Sequence, residues 1–293
     1  MRRSPWLQRK QKKELEKAYS AEDFNIIVGT EPYAEKADQN LQSVPDNSIR
    51  LNILKILNEN FGIIEDDFVS AELCAVPAYK AKDIGLDRSL IGAYAHDDRV
   101  CAYPELTAMF ECKNPKHTAM IILTDKEEIG SEGNTSMQSS FLSDIIDDLS
   151  ETLGARAHNV RLHSKCISAD VNAAYDPNYT YVFDANNSAR LNHGACITKY
   201  TGAAGKVAAN DASAEYTAYI RKLFNDNKVQ WHIAEFGKVD GGNAGTVAKF
   251  VARLNIDTID VGVPVLSMHA PFEIVAKTDV YAMHLALKAF LCD

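Results

Sequence analysis

The chain has 293 residues, of which 46% are hydrophobic and 24% are charged. This composition is typical of a folded globular protein and differs from that of disordered, collagen-like or disulfide-scaffold chains. The 31 Lys and Arg residues against 40 Asp and Glu residues give a formal net charge of −9. Such a charge argues against non-specific binding to nucleic acid or to anionic membranes. A small-molecule or peptide substrate fits it better.

The six cysteines are widely spaced and include no CxxC pair. They are Cys74, Cys101, Cys112, Cys166, Cys196 and Cys292. This spacing predicts reduced thiols rather than a disulfide framework. The chain has no apolar run of about 18 residues, and no apolar segment of signal-peptide length follows its basic start. We therefore expect a cytoplasmic protein.

The first 70 residues are expected to form part of a small domain. Opposite charges at neighbouring positions predict an exposed helix over 9–19. The apolar run at 24–33 predicts a short buried strand. A second helix is expected to start near Asp46 and to stop near Gly62, because apolar residues between them recur at helical spacing.

Beyond Val69, apolar runs alternate with longer helical patterns. The expected strands cover residues 118–124, 159–164, 165–170, 229–236 and 258–267. The expected helices cover residues 98–112, 135–152, 211–226, 243–254 and 275–290. This alternation predicts an α/β layer fold with a largely parallel sheet, in a larger domain that begins at about residue 70.

Acidic and imidazole side chains follow the predicted strands or open the helices after them. They are Asp98, Glu127, Glu128, Asp170 and His269. Ligand-binding groups in open α/β sheets collect beyond the carboxyl ends of the strands. Oxygen ligands with one or two imidazoles suit zinc or a neighbouring divalent ion. If two metals lie about 3.5–4 Å apart, a carboxylate must bridge them, and we expect Asp98 to be that bridge.

Each of these residues also has a purely structural interpretation. An Asp at the position of Asp98 commonly caps a helix. Glu127 and Glu128 fit a solvated acidic turn, and the functional alternative makes one a metal ligand and the other a general base. His269 fits a structural histidine near the core. Only the combination of these residues indicates metal chemistry.

Five longer strings carry a resemblance to a known family. They are SAELCAVPAYKAKDIGLDRSLIGAYAHDDRVCAY, LTDKEEIGSEG, SADVNAAYDPNY, KYTGAAGK and GVPVLSMHAPFE. In this order the chain resembles the M18 metalloaminopeptidases, the aspartyl aminopeptidase and aminopeptidase I group, from about Asn52 onwards. The resemblance implies a three-layer α/β sandwich of the zinc exopeptidase type with a mostly parallel central sheet. Residues 71–293 would be the zinc peptidase catalytic domain, and residues 1–70 the C-terminal part of an inserted oligomerisation domain.

The resemblance also implies the chemistry of the site. It implies an aminopeptidase that removes the N-terminal residue of peptides with a free N-terminus by means of a metal-activated water. Asp98 would bridge the metals and Glu127 would act as general base. The further metal ligands would be Glu128, Asp170 and His269. The metal would be Zn²⁺, one or two per chain, with Co²⁺ or Mn²⁺ as alternatives.

Two basic residues are candidates for substrate binding under the same resemblance. Lys199 or Arg99 would attract an acidic side chain of the substrate. The family also forms dodecamers, so the resemblance implies a homo-oligomer.

The chain departs from the family pattern at one motif. M18 members carry an early HxD motif whose His binds the second metal, whereas no histidine precedes His96 here. His96 is a candidate replacement, and an exposed loop histidine is the alternative. A truncated or degenerate relative that keeps the fold and the oligomer contacts without hydrolysis therefore remains a competing hypothesis. A third is a deacylase or other hydrolase with the same metal core.

Overall fold

The structure is a computed structural model that describes residues 25–33, 47–202, 206–238 and 245–293. The described residues divide into two compact units, with the division between Ala78 and Tyr79. This division lies slightly C-terminal to residue 70, where the sequence analysis expected the domain boundary. The expected domain boundary stays a prediction. The helix expected over 9–19 lies outside the described residues.

The described residues before Tyr79 contain one regular helix. This helix, α1, covers Ser48–Phe61 and ends at Gly62, which adopts the left-handed conformation (φ 72°) that glycine tolerates. A short 3₁₀ helix follows at Glu65–Val69. The helix expected between Asp46 and Gly62 is therefore confirmed. The buried strand expected at 24–33 is wrong, because residues 25–33 form no strand and are mostly exposed.

The unit from Tyr79 onwards contains all nine strands of the described residues. These are β1 (Lys82–Ile84), β2 (Leu90–Ala93), β3 (Lys165–Ala169), β4 (Asn172–Ala173), β5 (Ala195–Thr198), β6 (Trp231–Ile233), β7 (Asp257–Gly262), β8 (Pro264–Leu266) and β9 (Glu273–Ala276). Its helices are α2 (His96–Glu111), α3 (Phe141–Thr152), α4 (Ala157–His163), α5 (Ala214–Asp226), α6 (Ala248–Ala252) and α7 (Lys277–Cys292). Short 3₁₀ helices lie at Glu127–Ile129 and Pro177–Val182.

The strands form two sheets with both senses of pairing. The five-stranded sheet has the order β1-β2-β9-β8-β4, and the four-stranded sheet has the order β3-β7-β5-β6. The pairs β3–β7, β4–β8 and β5–β6 are parallel. The pairs β1–β2, β2–β9, β5–β7 and β8–β9 are antiparallel. The expected zinc exopeptidase type of α/β fold is confirmed, and within it the described strands pair in a mixed rather than mostly parallel manner.

One continuous piece of chain contributes to both sheets. The strand expected at 258–267 is present, but it is divided at Val263 into β7 and β8, which lie in different sheets. Ile259 and Val261 of β7 are fully buried, together with Ile197 of β5 and Met283 of α7. These side chains form the main core, against which the helices pack.

Two expected strands are absent from the described residues. Residues 159–163 fall in α4, and Ser164 directly follows it. The backbone N–H groups of Asn159 and Val160 bond to the carbonyl oxygen of Arg156, so this segment makes helical rather than strand hydrogen bonds. Residues 118–124 carry no strand assignment. Their apolar sequence favours extended backbone, but a strand also needs a neighbouring chain for its ladder of hydrogen bonds, and neither sheet supplies one.

The prediction of six reduced cysteines is wrong for two of them. Cys112, directly after α2, and Cys292, at the end of α7, form a disulfide with a Cα–Cα distance of 5.7 Å. The two helices pack side by side, which brings residues 180 positions apart in sequence into contact. The pairing is invisible in the spacing of the cysteines because it is created by the packing of the helices. None of the described helices is both long enough and apolar enough to cross a membrane.

Candidate metal centre

Asp97 lies where the chain passes from the five-stranded sheet into α2. Its backbone angles (φ −78°, ψ 107°) are extended, although the residues around it belong to a helix. The Asp97 side chain is 8% exposed. Because of this local break in the helix, the backbone at Asp97 runs in a different direction from that of the helical residues after it.

The first ligand group combines Asp97, Glu128 and His269. One donor atom from each lies within 4.8 Å of the others. Nε2 of His269 lies 2.8 Å from Oδ2 of Asp97 and 2.9 Å from Oε1 of Glu128. Glu128 comes from the 3₁₀ helix at Glu127–Ile129, and His269 follows β8. Three separate parts of the chain therefore meet at one point.

The second ligand group combines Asp97, Asp98 and Asp170. Their carboxylate oxygens also lie within 4.8 Å of one another. Asp170 directly follows β3, and its Oδ1 accepts the backbone N–H of Val171 at 2.8 Å. The structure thus brings together the four residues that the sequence analysis expected to be metal ligands, in two adjacent groups.

Asp97, rather than Asp98, is the residue that the two groups share. Asp98 contributes an oxygen to the second group alone. Asp97 is therefore common to the two groups, as the sequence analysis expected of Asp98, and the identity of the bridging ligand stays a prediction. The two residues are adjacent, and the extended backbone at Asp97 decides which carboxylate points between the groups.

Burial, together with the crowding of carboxylates, shifts their pKa values upwards. Burial, followed by the charge of Asp97, raises the pKa of Asp98 to about 8, although Asp98 as a whole residue is exposed. Burial, followed by Asp98 and Asp97, raises the pKa of Asp170 well above its ordinary value. Like charges at short range make ionisation of each further carboxyl less favourable. The cluster therefore holds protons at neutral pH that isolated carboxyl groups would have lost.

Glu127 lies beside the ligand groups without belonging to either. It is half-buried and opens the 3₁₀ helix that carries Glu128. Burial, followed by the charges of Glu128 and Asp97, raises the pKa of Glu127 to about 7. A carboxyl group with a pKa near the working pH is suited to accept a proton and give it back.

The donor atoms fit a zinc site. Carboxylate oxygens and an imidazole nitrogen are common zinc ligands. Hydrogen bonds to Asp97 and Glu128 raise the pKa of His269 to about 10. The protonated imidazole thus supplies positive charge where these carboxylates converge, and a divalent cation at the same place would neutralise more of their charge.

His96 is not a member of either ligand group. Its ring is buried, and Nε2 lies 3.1 Å from the backbone carbonyl oxygen of Ile91, which can only accept a hydrogen bond. The expected alternative of an exposed loop histidine is wrong, because the residue is 9% exposed. His96 instead connects β2 to the start of α2 through this contact.

The two candidate substrate-binding residues lie in different settings. Lys199 directly follows β5 and forms an ion pair with Asp211, which also binds Lys206 at 2.6 Å. Arg99 is exposed on the first turn of α2, next to Asp98. Their role in substrate binding stays a prediction.

Sequence reasoning missed two residues of the site. One is Asp97, whose only signal was its position next to Asp98. The other is Glu273, which is 2% exposed and accepts hydrogen bonds from the backbone N–H groups of Asp97 and His269. The position of Glu273 in the sequence could have identified it. It is an acidic residue that opens a buried strand, four positions after the candidate ligand His269.

Comparison with known proteins places the chain in one family. The family model described as aminopeptidase I zinc metalloprotease (M18) matches residues 4–291. A probable M18 family aminopeptidase 1 from Clostridium acetobutylicum is 44% identical over 95% of this chain and 59% of its own length. The crystal structure of aminopeptidase I from the same organism has a TM-score of 0.85 and 42% identity, over 100% of this chain and 63% of that chain.

A second solved structure gives the same result. The M18 family aminopeptidase of Thermotoga maritima has a TM-score of 0.81 at 42% identity, over 90% of this chain and 58% of that chain. A dodecamer of yeast mApe1 shares the fold at 21% identity, with a TM-score of 0.65, over 82% of this chain and 54% of that chain. The chain spans about three fifths of the length of the relatives it matches. Over that span, this chain belongs to the M18 family of aminopeptidases.

Proposed function

We propose that the unit from Tyr79 onwards carries the metal centre of a zinc-dependent aminopeptidase. The observation that carries the proposal is the pair of ligand groups that share Asp97, with Glu127 beside them and outside both. Relatives at 41–44% identity that bear the name aminopeptidase support it. The residues that would hold the metal are Asp97, which both groups share, and around it Asp98, Glu128, Asp170 and His269.

The chain's own residues supply the proton transfer. When bound, zinc supplies Lewis-acid polarisation of a carbonyl group and makes water more acidic. Glu127 accepts a proton from the attacking water and gives it to the amine that leaves when the peptide bond breaks. Its pKa of about 7 suits both transfers, since the carboxyl group can hold and release a proton at neutral pH.

The excess of carboxylates in the proposed site also gives a reason for it to select peptides with a free N-terminus. A peptide with a free N-terminus carries a positive charge on its α-amino group, which the carboxylates of the site attract. Lys199 and Arg99 are the candidates for contact with an acidic side chain of the first residue. For Lys199, such contact competes with its ion pair to Asp211.

The assembly and the metal content are further parts of the proposal. We expect a homo-oligomer, with the yeast mApe1 dodecamer as the precedent for this fold. Zn²⁺ is the proposed metal, at one or two ions per chain, with Co²⁺ or Mn²⁺ as possible replacements. Peptides are the proposed substrates and the cytoplasm is the proposed compartment.

The test joins metal content to peptide cleavage. Protein purified without chelator is analysed for zinc per chain and then assayed on a short peptide with a free N-terminus. The same peptide with an acetylated N-terminus is the matched control. The proposal predicts bound zinc and release of the first amino acid from the free peptide alone.

The variant Glu127→Gln separates the base from the metal site. Replacing the carboxylate by an amide removes the proton acceptor, so the rate of cleavage should fall by about 10²–10⁴-fold while the zinc content stays unchanged. Joint loss of zinc and activity contradicts the role given to Glu127. A zinc-free, inactive wild-type chain favours the non-catalytic relative, and faster cleavage of the acetylated peptide favours the deacylase.

A further inference from the structure

Glu273 holds two backbone segments of the candidate metal centre at the same time. It opens β9 and is 2% exposed. Its Oε2 accepts the backbone N–H of Asp97 at 2.9 Å, and its Oε1 accepts the backbone N–H of His269 at 2.7 Å. Each carboxylate oxygen is thus occupied by a different segment of the chain.

Both segments need an acceptor from outside. His269 has a φ of 63°, in the left-handed region that non-glycine residues seldom adopt. Asp97 has extended backbone angles inside a helix. Uncommon backbone conformations persist where the surrounding structure supplies enough interactions to hold them. The Glu273 carboxylate supplies one such interaction to each residue.

We infer that Glu273 is a positioning residue, which sets the separation of the Asp97 and His269 side chains and so determines how tightly the first ligand group binds zinc. The inference rests on the proposed metal site. Glu273 acts through the backbone of two ligands and belongs to neither ligand group. Residues that orient metal ligands in this way typically change metal affinity about 10–100-fold when they are replaced.

The chain offers a matched control in Asp279. Asp279 is fully buried, and its two oxygens accept the backbone N–H groups of Asn192 and Gly194, both at 2.8 Å. The chemistry is the same as at Glu273, but neither partner belongs to a ligand group. Replacement of Asp279 therefore reports what the loss of a buried two-point carboxylate does to stability alone.

The experiment compares Glu273→Gln with Asp279→Asn. An amide keeps the shape of the side chain but presents an N–H₂ group to one of the two backbone donors, so one hydrogen bond is lost and two donors face each other. The dissociation constant for Zn²⁺ is measured by competition with a chromogenic chelator, and the absorption spectrum of the Co²⁺ form is recorded. Thermal melting of the metal-free variants measures the effect on the fold.

Both variants should melt at a lower temperature than the wild type. Glu273→Gln should weaken Zn²⁺ binding by about 10–100-fold and alter the Co²⁺ spectrum, whereas Asp279→Asn should change neither. An unchanged Zn²⁺ affinity in folded Glu273→Gln, or an equal loss in Asp279→Asn, overturns the inference. A wild-type chain that binds no Zn²⁺ contradicts the proposed function as well, so the two failures can be told apart.

If Glu273→Gln does not fold, hydrogen exchange in the wild-type protein gives the answer. The backbone amides of Asp97 and His269 should exchange slowly, because the buried Glu273 carboxylate protects both. Rapid exchange of either amide in the folded protein overturns the inference.

Discussion

At the scale of single residues, the main result is the different placement of two neighbouring carboxylates. Asp97 contributes to both ligand groups, whereas Asp98 contributes to one. The zinc stoichiometry of Asp97→Ala and Asp98→Ala tests this difference. Asp97→Ala should weaken the binding of every zinc ion that the wild type holds. Asp98→Ala should leave the ion of the Asp97, Glu128 and His269 group in place. Equal zinc loss in both variants contradicts the bridging position of Asp97.

The raised pKa values predict how metal binding depends on pH. His269 has a pKa of about 10 and Asp98 of about 8, so both hold a proton at pH 7. Zinc binds only their deprotonated forms, which means that each bound ion displaces protons. For the ion of the Asp97, Glu128 and His269 group, the logarithm of the Zn²⁺ association constant should therefore rise by about one unit per pH unit between pH 6 and 8, because one proton leaves His269.

The variant His269→Ala checks the origin of this dependence. Removing the imidazole removes one displaced proton, so the slope of affinity against pH should fall by about one. Calorimetric titrations in buffers of different ionisation enthalpy count the released protons directly. An affinity that does not change over this pH range contradicts the protonation states proposed here.

At the scale of helices and strands, a glycine permits the approach of β7 to the end of β3. A Cβ atom added at Gly262 would lie 1.5 Å from the carbonyl oxygen of Asp170, which no repacking of side chains can relieve. Gly262→Ala should lower the free energy of unfolding by at least about 1–3 kcal/mol. It should also displace Asp170 and weaken zinc binding, as measured by chelator competition.

Gly245→Ala is the matched control for Gly262→Ala. Among the described residues, a Cβ atom at Gly245 would meet just the flexible end of Lys249, at 3.4 Å. We expect wild-type melting and zinc affinity for this variant. If Gly262→Ala binds zinc with wild-type affinity, the backbone can move at this point without any loss of metal binding.

The disulfide joins the C-terminal ends of two helices, α2 and α7. Denatured, unreduced protein should therefore show four reactive thiols, at Cys74, Cys101, Cys166 and Cys196. A cross-link between residues 180 positions apart restricts the unfolded chain, and its removal typically costs about 2–4 kcal/mol of stability. Reductant should lower the melting temperature of the wild type and leave that of Cys112→Ser unchanged.

The exposed Cys74 provides the control for this measurement. Cys74→Ser should keep the full response to reductant, since its thiol lies outside the disulfide. A count of six thiols in the denatured, unreduced wild type contradicts the cross-link.

Local signals in the sequence predicted helices better than strands. Apolar spacing and helix-end signals predicted α1, α2, α5 and α7. These signals are local, because the residues that carry them lie within a few positions of each other. Residues 118–124 and 159–164 have the composition of strands, but a strand depends on a partner that is distant in sequence. The ends of β3 and β8 did predict that Asp170 and His269 lie at one edge of the fold, where each joins a ligand group that contains Asp97. The choice between Asp97 and Asp98 depends on one backbone conformation, which composition does not encode.

At the scale of the whole molecule, every candidate ligand lies in the unit from Tyr79 onwards. A fragment of residues 79–293 should therefore bind Zn²⁺ with the affinity of the whole chain, as measured by chelator competition. Much weaker binding by a fragment that melts cooperatively would show that the residues before Tyr79 contribute to the metal centre. His269→Ala in the fragment provides the control for non-specific uptake.

The division of one strand at Val263 gives the metal centre a mechanical role. Asp170 leaves the four-stranded sheet after β3, and Asp97 and Asp98 follow β2 of the five-stranded sheet. Val263 alone separates β7 of one sheet from β8 of the other. An ion bound by the Asp97, Asp98 and Asp170 group would add a noncovalent link between the two sheets and would resist their sliding past each other. Occupancy of this group would then make the unit from Tyr79 onwards more rigid as a whole.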